Sequence, residues 1–393
     1  MKKKILVFSY AYAPLVGGAE IAVQELTARL GSDFDFEIIT RRFSRTHKRR
    51  ETIGAAAVHR VGGGKFLFSF ASALRALSLH RRKRFDAVWA VMANRAGAAA
   101  LIFKLLHPSM PLVLTLQEGD PIPVIRRQMG VFRPLFKILF RSARIVTAIS
   151  TYLAGWGKAM GAKNIKIIPN GVDAEKFKIQ NPKVKSEEKV IVTTSRLVEK
   201  NGVGDLIDAM RYLPLQYKLG IVGSGPLGEL LKSKVKNLKL EDRVLFAGEV
   251  AHTELPAYLH RADIFCRPSL SEGMGISFVE AMAAGLPVIA TPVGGIVDFL
   301  KDKETGLFCK VGDPKSIADA VLLLENQPAI REAIISSALR MVQERYDWNI
   351  IAREMREVFN EIIMESNAAN LLFISKEEQM DIERRYKAPY RHS

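Results

Sequence analysis

The sequence predicts an α/β protein built as two doubly wound domains. Three observations carry that reading. Short apolar runs alternate with amphipathic helical stretches through most of the chain, the rhythm of βαβ units and a largely parallel sheet. The rhythm breaks once, at a polar segment near the middle, and then restarts. At 393 residues the chain also suits two domains of ordinary size better than a single core.

The first domain is expected over residues 1–170. Lys4 to Tyr10 reads as a buried strand, followed by the loop Ala11 to Gly18 and an amphipathic helix from Ala19 to about Leu30. Further strands are predicted at Phe36–Thr40, Ala56–Val61, Ala87–Val91, Leu112–Leu116, Ile145–Ala148 and Lys166–Ile168. Pro169-Asn170-Gly171-Val172-Asp173 interrupts the pattern, and with the charged stretch Lys176 to Lys189 it suggests a linker at 171–189. Strands resume at Val190–Thr194, Lys218–Val222, Val244–Ala247, Ala262–Cys266, Val288–Thr291 and Gly306–Cys309, which gives a second domain over 190–346. Helices are predicted at Lys315–Glu325 and Ala329–Gln343, and a final one from Trp348 to Met364 within 347–365. Residues 366–393 are polar and without clear period, so they read as either a loose tail or an added helix.

Composition narrows the function. Hydrophobic residues make up 48% and charged residues 25%, which is globular and not disordered. No run of about 18 apolar residues offers a transmembrane helix. Basic Met1-Lys2-Lys3-Lys4 is followed by a short strand with no A-x-A-like site, so a secretory leader is not expected. Cys266 and Cys309 both lie in apolar, strand-like settings. That fits buried thiols in a reducing, cytoplasmic compartment, and neither a disulfide framework nor a metal site.

The net charge of +17 is unevenly held, because residues 1–170 carry 28 Lys and Arg against 9 Asp and Glu. Such asymmetry points to a polyanionic partner. Arg81-Arg82-Lys83-Arg84 is one basic cluster, and Val131 to Arg141 mixes large apolar and basic residues at near-helical spacing. Such a stretch can lie on an anionic membrane, each Lys or Arg adding about 1 kcal/mol near it. It also reads as a core helix with a solvated basic face. A nucleic-acid partner is not expected, because no helix-turn-helix, zinc-finger or RNA-stacking signature accompanies the charge.

The chemistry concentrates between Cys266 and Asp298. A strand end leads into the small-residue loop Ser269 to Gly275, then a helix (Ser277 to Ala284), a Gly-Leu-Pro turn and another strand. Ligands of open α/β sheets sit outside the carboxyl ends of the strands, so this loop is the expected substrate seat. Glu272 in the loop and Glu280 in the helix can face one ligand from different sides. Between them Gly273 and Gly275 carry no side chains, and backbone N–H groups at a helix start can approach a phosphate. A plainer reading stands beside it: Ser277-Phe278-Val279-Glu280 also fits a capping box, with Glu280 only closing the helix end.

The whole string, E-G-M-G-I-S-F-V-E followed by A-A-G-L-P-V-I-A-T-P-V-G-G, closely resembles the signature of the retaining, nucleotide-sugar-dependent glycosyltransferases of family 4. The resemblance covers most of residues 5–365 and is strongest from 187 to 300. It implies the GT-B architecture: two facing Rossmann-like doubly wound domains, an active site in the cleft between them, and a last helix that crosses back to the first domain. It also implies a hexosyltransferase acting from a nucleotide-sugar donor on a lipid-linked or polysaccharide acceptor. No carboxylate cage for Mg²⁺ is visible in the sequence, so a metal-independent enzyme with no cofactor is expected.

Individual residues follow from the same resemblance. Ser195-Arg196-Leu197-Val198-Glu199-Lys200-Asn201-Gly202 resembles the family element G-R-L-x-x-x-K-G. Arg196 and Lys200 then hold the donor diphosphate, with Ser195 in place of the usual Gly. Two cations beside a departing nucleoside diphosphate stabilise the charge that develops as the glycosidic bond breaks. Gly223-Ser224-Gly225-Pro226 resembles the turn near the nucleotide, which puts Gly223 and Gly225 in the donor site. Gly248-Glu249-Val250 matches the region that meets the base. Pro14 to Glu20 resembles the Gly-Gly loop, so Gly17 and Gly18 would let backbone amides reach donor phosphate or acceptor. Gly273, Met274, Gly275 and Ile276 complete the donor loop, with Glu272 expected to orient sugar hydroxyls and Glu280 to bind the ribose.

The match departs from the family after Leu112–Leu116. Many members carry a His there, and the corresponding residue here is Gln117. Gln117, Glu118 and Asp120 are expected to orient acceptor hydroxyls, with Glu118 or Asp120 able to assist proton removal. The departure also leaves open a protein that binds the donor and transfers nothing.

Overall fold

A computed structural model describes residues 2–15, 17–178 and 187–386, the side chains of 369–386 excepted. Two open sheets organise the chain. The first comprises β1 (Lys3–Phe8), β2 (Phe34–Arg41), β3 (Arg50–Ile53), β4 (Ala56–Val61), β5 (Ala87–Val91), β6 (Leu112–Leu116), β7 (Ile145–Ala148) and β8 (Ile165–Ile167). Their spatial order is β3-β4-β2-β1-β5-β6-β7-β8. Every pair is parallel except β3 with β4. β5 and β6 are buried along their whole length, as unbroken apolar runs covered on both faces should be. β3 escapes the sequence reading because Arg-Glu-Thr-Ile is a half-exposed edge strand with no apolar run.

The second sheet comprises β9 (Lys189–Thr194), β10 (Tyr217–Val222), β11 (Val244–Gly248), β12 (Ile264–Arg267), β13 (Val288–Ala290) and β14 (Leu307–Phe308), in the order β11-β10-β9-β12-β13-β14, all parallel. Each sheet reverses its winding once, beside β1 in the first and beside β9 in the second. Loops after β1 and β5, and after β9 and β12, therefore open the two crevices in which such sheets bind ligands.

The chain crosses between domains twice, at one place. Val172 bridges Asp347, its N–H donating to Tyr346 O at 2.7 Å, while Trp348 N–H donates to Val172 O at 3.3 Å. The final helix then lies on the first sheet. Trp348, Ile351, Met355 and Phe359 are buried in one cluster with Trp89, Phe34 and Phe36, and the Phe359 ring meets Trp89 edge-on at 5.5 Å. That helix runs on from Trp348 to Tyr386, so the stretch after 365 is helix and not a loose tail as far as it is described. Residues 387–393 of the expected tail lie outside the described residues, as do 179–186 of the expected linker. The described part of the linker is not all loop: Ala174–Phe177 is a helical turn, with Phe177 buried and its carbonyl bonded by His260 Nε2 at 2.8 Å.

Cys266 and Cys309 are free and buried, and burial pushes both thiols up, Cys309 to about 12. Among the described residues, one face of the first domain stays uncovered. The helix Gly64–Lys83 packs on Arg95–Leu106, which packs on Arg133–Ser142. Phe66, Leu67, Phe70 and Leu74 on the first of these, and Val131, Phe132 and Leu135 near the last, are exposed among exposed Lys65, Arg126, Arg127 and Arg133.

Candidate active site

Three loops at the carboxyl ends of the strands meet in the cleft. After β6 the chain turns through Gln117, Glu118, Gly119 and Asp120; after β9 comes the Arg196 to Lys200 loop, and after β12 the Glu272 loop. Backbone hydrogen bonds lock the last two together, because Leu270 N–H donates to Lys200 O at 2.7 Å. Across the cleft, Lys200 Nζ pairs with Asp120 Oδ1 at 3.3 Å. Gly119 lies between them: a Cβ there would fall 2.8 Å from Lys200 Nζ and 3.5 Å from Glu272 Oε1. An ammonium and two carboxylates thus converge on a glycine that leaves space. Arg196 is exposed, and its guanidinium has no partner among the described residues.

Gln117 does not stand alone at the position of the absent His. Its Oε1 accepts from Asn170 Nδ2 at 3.1 Å, and Asn170 N–H in turn meets Met274 Sδ at 3.3 Å. Gly18 adjoins the same asparagine, while Gly17 begins the first helix with the Glu20 carboxyl folded over it. Val16 of this loop lies outside the described residues. Gly17, Gly18, Gln117 and Met274 are therefore neighbours, joined by a residue that the sequence presents only as part of a Pro-Asn-Gly turn. Ile276 opens the helix Ile276–Ala283, partly buried against the first domain's core.

Glu118 points elsewhere. It is 5% exposed, its Oε1 accepts from Ala93 N–H at 2.6 Å, and its Oε2 has no hydrogen-bond partner among the described residues. Burial pushes this carboxyl up to about 7. Its side chain ties the loop after β6 to the loop after β5.

Gly223 and Gly225 lie beside the Arg196 loop. Leu197 N–H donates to Ser224 O at 2.9 Å, and Gly223 N–H donates to Gly248 O at 2.7 Å. Ser224 Oγ reaches Glu249 at 2.9 Å, so the three loops expected around the nucleotide form one stitched surface.

The helix carrying Glu280 is not closed by a capping box. Its N-cap is Gly275 with no side-chain bond, Ser277 Oγ is taken by Arg267 Nη1 at 2.7 Å, and Glu280 Oε1 meets His252 Nε2 at 2.7 Å. Glu280 is 3% exposed, and its hydrogen bond is the main force raising the His252 pKa. Glu272 is held on both oxygens: Oε2 forms an ion pair with Arg267 Nη2, and Oε1 accepts from Gly273 N–H at 3.0 Å. The Glu272 backbone rests on Gly294 and Gly295, with Gly295 N–H donating to Glu272 O at 3.1 Å. Sequence reasoning missed Asn170, His252 and Arg267. Only Arg267 had a local signal, a charge at the end of an apolar strand.

Two parallel α/β domains with loops converging across a cleft define the GT-B class of transferase. Sucrose-phosphate synthase from Thermosynechococcus elongatus superposes with a TM-score of 0.81 at 20% identity, over 93% of this chain and 100% of that one. The Anabaena protein HepE, in complex with UDP and glucose, gives 0.77 at 22% identity over 91% and 100%. Residues 16–176 match Glycosyltransferase Family 4, and residues 174–341 match Glycosyl transferases group 1. The amylovoran biosynthesis glycosyltransferase AmsK of Erwinia amylovora is 31% identical over 301 residues, 74% of each chain. A GDP-mannose-dependent α-(1-6)-phosphatidylinositol monomannoside mannosyltransferase of Mycobacterium tuberculosis is 30% identical over 252 residues, 58% of this chain and 65% of that one. The chain belongs to the family 4 glycosyltransferases.

Proposed function

We propose that this enzyme moves a hexose from a nucleotide-sugar donor to a lipid-linked or polysaccharide acceptor, with retention, at the inner face of a membrane. The observation that carries the reading is the meeting of Lys200, Asp120 and Glu272 around Gly119, across the cleft. Relatives named for amylovoran biosynthesis and for mannosyl transfer to a phosphatidylinositol mannoside support the class of acceptor.

In this reading Lys200 and Arg196 hold the donor diphosphate and stabilise its growing charge, without a metal. Glu272 orients the sugar hydroxyls, and Glu280 binds the ribose in competition with His252. The bond from the sugar's anomeric carbon to the phosphate oxygen breaks while the acceptor oxygen bonds that carbon from the same face. The acceptor proton passes to the departing phosphate oxygen, so no protein base is required and Gln117 serves where other members have His. Positioning supplies most of the remaining rate enhancement.

No described helix is long and apolar enough to cross a membrane. The exposed Phe66, Phe70, Val131 and Phe132, set among basic residues of a domain with a large positive excess, support peripheral contact with an anionic bilayer. The helices Gly64–Lys83 and Ile122–Met129 follow the carboxyl ends of β4 and β6, on the edge that faces the cleft. Such a contact would bring a lipid-linked acceptor to the site.

Thermal stability against GDP, UDP and ADP and their sugar conjugates tests the donor. A ligand at about 100 times its dissociation constant adds roughly 2.7 kcal/mol. One nucleotide series should stand out. Silence from all of them at millimolar concentration would overturn the reading.

A further inference from the structure

We infer that Arg267 is a positioning residue for Glu272, fixing the carboxylate that faces the donor sugar. The inference rests on the transfer reading above and adds a part to it. Arg267 ends β12 after three apolar residues, and it is 5% exposed. A buried guanidinium costs several kcal/mol unless its protons are satisfied, so a strand end that needed only packing would be better served by an apolar residue.

Here every side of the group is engaged. Nε donates to Ser269 Oγ at 3.2 Å, and Nη1 to Ser277 Oγ at 2.7 Å and to Thr194 O at 3.4 Å. The plane lies over the Phe278 ring at 4.2 Å. Strand, loop and helix thus clamp the guanidinium and leave Nη2 to pair with Glu272. With its second oxygen held by Gly273 N–H, the Glu272 carboxylate has one orientation, aimed beside Gly119 and Lys200. Ser277, in the first turn of the helix, turns its hydroxyl to Arg267. A lysine could not substitute, since it has neither the planar fork nor the stacking face.

The test is a double-substitution cycle. Release of nucleoside diphosphate from UDP-glucose, UDP-N-acetylglucosamine and GDP-mannose is measured for wild type, R267K, E272Q and R267K/E272Q, together with the affinity for UDP and GDP. R267K should lower turnover about 10²-fold, the cost of a misplaced group, with diphosphate affinity held within about twofold. On the E272Q background the same substitution should cost nothing further. Losses that multiply across the two backgrounds, or a fall in affinity and melting temperature that follows turnover in both, would show a structural role and overturn the inference. R267Q serves as a second variant, and if neither it nor R267K folds, a role confined to Glu272 is refuted. A wild type silent toward all three donors would refute the transfer reading itself, and this one with it.

Discussion

Replacing Gly294 by alanine should cripple the site from behind. Gly294 sits at φ +56°, and a Cβ there would lie 1.8 Å from the carbonyl oxygen of Glu272. Ordinary carbon–oxygen contacts begin near 3.3 Å, so the Glu272 peptide must retreat by about 1.5 Å. The left-handed backbone alone costs an alanine about 1–2 kcal/mol. With the forced movement, the total should reach about 2–4 kcal/mol, in the range of strained backbone substitutions. Because the displaced peptide carries the carboxylate, turnover should fall at least about 10²-fold. Gly54 provides the control, with φ +57° and nothing within 4 Å of a Cβ. Gly54→Ala should lose about 1 kcal/mol for its backbone and keep its turnover. Urea unfolding and nucleoside diphosphate release, measured on both variants, decide the matter. If Gly294→Ala matches the control in both assays, the packing of Glu272 on this turn does not matter as argued.

Glu272→Gln should reduce turnover at least about 10²-fold while UDP or GDP still binds; calorimetry beside a turnover assay would show it, and unchanged turnover would remove Glu272 from the site. Glu118 titrates near 7 in the folded chain against 4.5 as its ordinary value, so folding disfavours its charged form. Stability should therefore fall as pH rises from about 4.5 to 7, by at most about 3 kcal/mol, and level off above. Glu118→Gln should flatten that slope; parallel urea midpoints from pH 5 to 8 in both proteins would contradict it. The chain should sediment with anionic vesicles and leave them in high salt, and Phe66→Ser with Phe132→Ser should weaken the binding. Equal binding to neutral vesicles would speak against a charge-led contact.

How much could be read beforehand follows from what each element needs. The interior strands were legible because a parallel strand covered on both faces must be an unbroken apolar run. β3 was not, since an edge strand has no such obligation, and the last helix past Met364 loses the period that marks a helix. Within the candidate site, Arg196, Lys200 and Glu272 sit on loops and Glu280 on a short helix, at local spacings that the sequence displays. Their partners do not. His252 reaches Glu280 from 28 residues away, and Asn170 joins Gln117 from 53. A pairing of that kind has no local pattern, and neither does the inward turn of Glu118 toward Ala93.

The return of the final helix bears on how the protein is made. Trp348, Met355 and Phe359 close the face of the first sheet that holds Trp89 and Phe34. A ribosome delivers that sheet before the second domain and its cover after it. Throughout synthesis of the second domain, then, the first waits with an apolar face open. The first domain is finished only after the second has been made. A fragment cut before Trp348 would keep all the strands of both sheets and still lack part of the first domain's core.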